Sequence, residues 1–332
     1  VRLKLALFLL VALLLNACGQ KTTEIPPTVI PVNTPVPLPT FTPMPSTPLA
    51  ILVLPADMDP ADSSLYQTTV YNLAQQSGFR FQVRNSLIPL DLADPTLKVV
   101  IALPPDPGVA ALAPSAPQAQ FLAVNIPNLT PGGNVSVLSP TTQVEIPAFL
   151  AGYTEAMLID DYRIGMIVPK DNPDAQRALK AFQDGMAYYC GLCSPHYYLG
   201  WTFPVPIEIP ADEKEASYGA YANYLIDRKV EAMYVYPDLA KPDLLTYIGT
   251  IGALQIGIST PNPMPAGWIM TVQPDVIKAI ELAWPNLAAG QGGATVQSPL
   301  GLTDIDSALL STGKQRLVKK ALEDILAGRI VP

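Results

Sequence analysis

Few residues in this chain can do covalent chemistry. There is one histidine, His196, and there are three cysteines, Cys18, Cys190 and Cys193. A metal site built on two histidines is therefore excluded, and a Ser-His-Asp triad has a single candidate base. Cys190-Gly191-Leu192-Cys193, three residues before His196, invites a metal or a redox reading. A redox pair needs its first cysteine at a helix N-terminus, where the dipole lowers the thiol pKa; Cys190 follows a helix C-terminus. A metal would need a fourth ligand that the sequence does not advertise, and a local Cys190–Cys193 disulfide pinning a turn is the simpler expectation outside the cytoplasm. The remaining chemistry is hydrogen bonding. Asp57, Asp62 and Ser64 fall on one strand-to-helix loop, where they can hold ligand hydroxyls, while Asp62 also fits as a helix N-cap. Asp106 lies in a proline-rich loop and is either a cleft residue or a turn residue, and Asp238 directly follows a buried strand. Tyr66 and Trp268 offer stacking surfaces, or else packing. No nucleophile–base pair is readable, so an enzyme is the weakest of the readings, and no cofactor is expected.

The elements that must position these groups alternate between strand and helix. Arg163 to Val168 is a continuous apolar run, as in a strand buried on both faces. Lys170-Asp171-Asn172-Pro173 then opens a helix, with Asn172 as N-cap and Pro173 at the first helical position. Ala175, Leu179, Phe182 and Met186 form its apolar stripe, and a helix from Pro147 to about Asp160 precedes the strand. Upstream, strands are expected at Ile51–Leu54, Phe79–Val83, Val99–Leu103, Phe121–Val124 and Val135–Leu138, with a helix from about Ser64 to Gln76 ended by Gly78. Downstream, strands at Val205–Ile209, Ala232–Tyr236, Gln255–Ser259 and Trp268–Val272 alternate with helices at Glu213–Arg228, Pro242–Ile251, Pro274–Ala289 and Thr312–Ala327. This rhythm predicts an α/β fold of two lobes, each a mainly parallel sheet flanked by helices. Gly249-Thr250-Ile251-Gly252 ends a helix rather than starting one, so it is no phosphate loop.

The N-terminal stretch is not globular. Arg2 and Lys4 precede an apolar run, Leu5 to Leu15, as in a secretion signal over 1–17. Its end, Leu15-Asn16-Ala17-Cys18-Gly19, resembles a bacterial lipobox, which implies lipidation of Cys18 and a membrane anchor. Thr22 to Pro48 is rich in Pro and Thr and holds one charge, Glu24; such a segment favours an extended tether of about 3.1 Å per residue. The formal charge is −8, and loss of Arg2 and Lys4 would make the mature chain more acidic still. Without a Lys/Arg cluster, nucleic acid is a poor partner.

Several pieces together resemble the basic membrane protein family of ABC-transporter substrate-binding lipoproteins. Asp62-Ser63-Ser64-Leu65-Tyr66 looks like its Asp-x-Ser-Phe-Asn signature, and Asn134-Val135 with Phe149-Leu150-Ala151-Gly152 is similar to its Asn-Val strand and Tyr-Leu-Ala-Gly helix. Phe182-Gln183-Asp184-Gly185, Tyr236-Pro237 and the closing Ile325-Leu326-Ala327-Gly328-Arg329-Ile330-Val331-Pro332 match further motifs in the right order. The resemblance implies a type I periplasmic-binding-protein fold of two lobes joined by several crossings, with residues 49–160 and about 263–300 in the first lobe and about 161–262 and 301–332 in the second, a small nucleoside-like or other polar ligand between the lobes, and an ABC permease as partner. This chain departs from that pattern in the pocket. Leu65 stands at the stacking Phe position, Tyr66 at the Asn position, Gly257-Ile258-Ser259-Thr260 lacks the acid of Gly-Val-Asp, and Pro274 stands where a lysine is expected. These departures would also suit a surface sensor or interaction protein that kept the fold.

Overall fold

The computed structural model describes residues 46–139, 143–191, 196–198 and 200–332, with the backbone alone for 196–198. The signal segment, Cys18, nearly all of the tether and Cys193 lie outside the described residues.

From Leu49 the chain builds β1 (Leu49–Val53), α1 (Pro60–Gln76), β2 (Arg80–Arg84), a short α2 (Pro89–Leu92), β3 (Leu97–Ala102), a short α3 (Val109–Leu112), β4 (Gln120–Val124) and β5 (Val135–Ser139). All five residues of β1 and of β4 are buried, and apart from Gln120 at the start of β4 they are apolar throughout. Strand β2 lies at the sheet edge and is only partly covered, which permits arginine at both ends. Helix α1 begins four residues before the expected Ser64. Asp59 is its N-cap, accepting hydrogen bonds from the amides of Ala61 (2.8 Å) and Asp62 (3.4 Å), and Pro60 takes the first position. Gly78 closes the helix in the left-handed region (φ 70°), as the sequence suggested.

The chain then crosses to the second lobe and forms α4 (Glu145–Leu158), β6 (Ile164–Pro169), α5 (Pro173–Cys190), a hairpin of β7 (His196–Tyr198) and β8 (Trp201–Phe203), β9 (Val205–Ile209), α6 (Tyr218–Asp227), β10 (Ala232–Val235), α7 (Pro242–Thr250), β11 (Leu254–Gly257) and β12 (Trp268–Pro274). It returns for α8 (Val276–Ala288) and β13 (Thr295–Gln297), then crosses once more to β14 (Leu300–Thr303) and α9 (Thr312–Leu326). The first sheet has the order β13-β5-β4-β3-β1-β2, all parallel; the second is β14-β12-β11-β10-β6-β9, parallel except for β14. Each sheet is covered on both faces. Alternate residues of β1 and β3 go to opposite cores, with Ile51 and Val100 on one side and Leu52 and Ile101 on the other, beneath α1 and α8.

Two boundaries differ from the expectation. Strand β12 belongs to the second sheet, paired in parallel with β11, so the chain leaves that lobe at Asp275 rather than near residue 263. Helix α4 packs in the second lobe's core with Met166, Phe182, Tyr234 and Met270, so the first crossing lies between Ser139 and Glu145. An all-apolar helix carries no sign of which sheet it covers, which is why the alternation alone misplaced it.

Helices α4 and α5 make the closest helix contact of this lobe through two reciprocal glycines. A Cβ on Gly152 would stand 2.0 Å from the Phe182 carbonyl oxygen, and one on Gly185 would stand 2.0 Å from that of Phe149. The two Phe-x-x-Gly motifs singled out in the sequence are thus the two halves of one contact. At the start of α5, Asn172 accepts from the amides of Asp174 (2.9 Å) and Ala175 (3.1 Å), as expected of its N-cap. At the other end Cys190 is disulfide-bonded.

Candidate functional site: the facing sheet edges

Three short segments join the lobes, following β5, β12 and β13. Each leaves a parallel strand at its carboxyl end, so the carboxyl edges of the two sheets face one another at the crossings. The segments are tied together: the Ser298 amide donates to Ser139 O (3.1 Å), and the Asp275 amide donates to Pro299 O (2.7 Å). Asp275 also caps α8 by accepting from the Lys278 amide at 2.8 Å. Carboxyl edges of parallel sheets are where open α/β proteins hold small ligands, because loops and helix N-termini converge there.

Two cavities open beside the crossings. One, of about 260 Å³, sits on the second sheet's edge and is lined by Tyr234, Tyr236 and Asp238, by Gln143 from the first crossing, by Pro147 from the first turn of α4 and by Pro274 at the end of β12. The other, of about 630 Å³, lies on the first sheet's edge and includes Asn125, Asn128, Ser139, Gln273 and the same Pro274. Burial pushes the Tyr234 phenol well up, helped by Tyr236 and Glu155. The Tyr236 phenol is pushed up by burial and then by Asp238 and Asp174. Both rings therefore stay neutral hydrogen-bonding groups across the physiological range.

The residues expected at the site are scattered. Asp238 lines the smaller cavity. Asp57, Asp62, Ser64 and Asp106 are exposed at the carboxyl edge of the first sheet, and none of them lines either cavity. Asp106 is occupied as a turn residue, accepting at 2.9 Å from the amides of both Gly108 and Val109. Tyr66 packs, half-buried, against the first lobe's core with Met58 and Leu73, and burial followed by the nearby Asp62 raises its phenol pKa. Trp268, a stacking surface or else packing on the sequence reading, is 4% exposed in the second lobe's core and lines neither cavity. Its ring runs along the sheet, with Nε1 donating to Thr271 Oγ1 at 3.1 Å and the ring lying against Gly257 at the end of β11. Leu65, at the position where stacking was expected, is 51% exposed.

Tyr234, Pro147 and Gln143 escaped the sequence reading, whereas Pro274, named there at a pocket position, lines both cavities. Tyr234 and Tyr236 stand two apart, so they share one face at the end of β10, a period-two signal that was present. The crossing residues carry no such signal, because their place depends on which strands end beside each other. Thr260, in the stretch 257–260 that lacks the acid of the family's Gly-Val-Asp, donates from Oγ1 to Asp304 Oδ2 at 2.5 Å, so a carboxylate reaches this stretch from beyond β14. Partial burial pushes the Asp304 carboxyl up, but hydrogen bonds from Thr260, Thr271 and Thr303 outweigh it and hold the pKa below the usual range. Among the described residues no group of three or more His, Cys, Asp or Glu is placed to hold a metal, and no helix is long and apolar enough to cross a membrane.

No family model and no curated protein matches the sequence. Solved structures do match. A solute-binding protein of an ABC transporter system from Conexibacter woesei DSM 14684 is similar with a TM-score of 0.51 at 16% identity, over 86% of this chain and 98% of that one. A transcriptional activator of the comK gene from Bacillus halodurans has a TM-score of 0.48 at 12% identity, over 86% and 99% of the two chains. A periplasmic ribose ABC transporter protein, also from Conexibacter woesei, has 0.44 at 12%, over 82% and 95%. Two mainly parallel sheets, three crossings and facing carboxyl edges make this an α/β protein of the type I periplasmic-binding-protein-like fold.

Proposed function

We propose that this protein is an extracytoplasmic solute-binding lipoprotein, anchored through Cys18, that captures a small polar ligand between its lobes and delivers it to an ABC importer. The observation that carries the reading is the pair of cavities flanking three tied crossings at facing sheet edges. Rotation about the crossings, at Asp275 and Ser298–Pro299 and after Ser139, would bring the two edges together, with each sheet moving as a rigid body. Hydrogen bonds donated to the Asp238 carboxylate and exchanged with the tyrosine hydroxyls would replace those the ligand loses to water. Membership of the basic membrane protein family is part of this reading, supported by the ordered motifs from Asp62 to Pro332. The departures at Leu65 and Pro274 favour a second reading, a surface sensor or interaction lipoprotein with an altered cleft.

Small-angle scattering and thermal unfolding of the full chain, with and without a panel of nucleosides, sugars and amines, separate the two. Solute capture predicts saturable binding of one compound, a smaller radius of gyration, and a Tm that rises with ligand concentration. A panel that leaves both radius and Tm unchanged would favour the sensor.

A further inference from the structure

The smaller cavity is selective in charge. Its polar lining is Tyr234, Tyr236, Gln143 and Asp238, the rest is apolar, and no Lys or Arg contributes to it. The charges that act on Tyr236 are Asp238, Asp174 and Glu145 against Arg177 alone. Arg177 is already committed, 2.6 Å from Glu145 and 2.8 Å from Asp174, which leaves the Asp238 carboxylate as the unbalanced charge at the mouth.

The facing edge has the same sign. The loops that follow β1, β3 and β4, residues 54–59, 103–108 and 125–134, contain Asp57, Asp59 and Asp106 and no Lys, Arg or His. Asp59 and Asp106 cap local turns through one oxygen each, which does not remove their charge. On the second sheet's edge the lysines have acidic neighbours: Lys170 precedes Asp171, Lys214 follows Glu213, and Lys241 is 3.7 Å from Glu215. Closing the lobes would gather these carboxylates in a space of lower dielectric, where an anion is repelled and a cation offsets their mutual repulsion.

We infer that the solute is a small organic cation, an amine or quaternary ammonium whose charge faces the exposed Asp238 and whose carbon skeleton lies against the half-buried Pro237, Ile258 and Pro274. Tyr234 and Tyr236 are nearly covered, Tyr234 being stacked on Phe182, so they close the apolar floor of the cavity and add no positive charge to it. A cavity of about 260 Å³ lies below the roughly 300–1,000 Å³ of most ligand pockets, so the skeleton is compact. This inference rests on the solute-binding reading and narrows it.

Isothermal titration of the full chain with agmatine, choline and spermidine, and in parallel with ribose and adenosine, tests both. The expected result is saturable binding of at least one of the three cations and none of ribose or adenosine. Asp238→Asn should weaken the cation by about tenfold or more while leaving the Tm of the unliganded protein in place. Binding of ribose or adenosine without any of the cations would overturn the charge assignment and keep the solute-binding reading. Cation binding indifferent to Asp238→Asn would overturn the assignment of the site. Silence from all five compounds would overturn the inference, and the scattering panel would then decide the solute-binding reading by itself.

Discussion

Replacing Gly152 by alanine sets two magnitudes of opposite sign against each other. In an isolated helix the change is favourable by about 1 kcal/mol, because alanine loses less backbone entropy than glycine. In α4 the new Cβ would stand 2.0 Å from Phe182 O, against an ordinary contact of 3.4 Å or more. The obstacle is backbone, so no side chain can swing aside; the two helices must part by roughly 1 Å or more. A gap of 0.5–1 Å already forfeits about a quarter to a half of the dispersion energy of the atoms it separates. Phe149, Ala178, Phe182 and Met186 are all buried along this seam. Overpacking costs typically about 1–3 kcal/mol, and the loosened seam adds to it, so the net expectation is a loss of roughly 2–4 kcal/mol. At about 2–4 °C per kcal/mol for a protein of this size, Tm should fall by roughly 4–16 °C, measured by calorimetry of the full chain. Gly185→Ala should cost as much. The double variant should cost clearly less than the sum, because helices parted by the first methyl have room for the second. Stabilisation by Gly152→Ala, or strict additivity, would refute the close approach. Because Pro147 on α4 also lines the smaller cavity, the variant should weaken ligand capture as well.

Three further outcomes follow from the same geometry. Glu155 is fully buried with both carboxyl oxygens unpartnered, and burial holds its pKa well above the model-compound 4.5. The folded protein thus keeps a proton that the unfolded chain loses, so stability from this group is intact below about pH 4.5 and declines as pH rises toward the folded pKa. The slope is about 1.4 kcal/mol per pH unit. Glu155→Gln should remove that decline, and parallel denaturation midpoints for the two proteins from pH 4.5 to 7 would sink the idea. Asp59→Ala, which removes the N-cap of α1, should lower stability by about 1 kcal/mol in urea denaturation, while the exposed Asp62→Ala should stay within about 0.5 kcal/mol. Trp268→Phe removes the hydrogen bond to Thr271 and part of a buried ring, so it should cost roughly 1–2 kcal/mol in urea yet leave ligand affinity unchanged; a large loss of affinity without loss of stability would restore Trp268 to the site.

Local rules were legible wherever one residue answers to its neighbours. Asn172 and Pro173 announced the start of α5, Gly78 the end of α1, and the apolar runs around Ile51, Val100 and Ile167 announced strands covered on both faces. Asp59 was overlooked as the cap because Asp62 fits the same rule three residues later, and only the hydrogen bonds choose between them. The glycines at 152 and 185 stood out as motif residues, yet nothing local says that each exists to admit the other's helix.

By itself, the sequence determined the class of fold, the βα order and most element ends, because periodicity, caps and turn residues act over a few positions. The acidic balance of the first lobe's edge loops was also fixed there, since loops that follow parallel strands must share one edge. Tertiary structure decided the rest: that β12 and α4 belong to the second lobe, that Trp268 faces a core, and that Tyr234, Pro147 and Pro274 meet at one cavity. Those outcomes depend on which strand ends lie side by side, a relation between segments more than a hundred residues apart. No local propensity encodes that relation; it follows from the joint packing of two sheets.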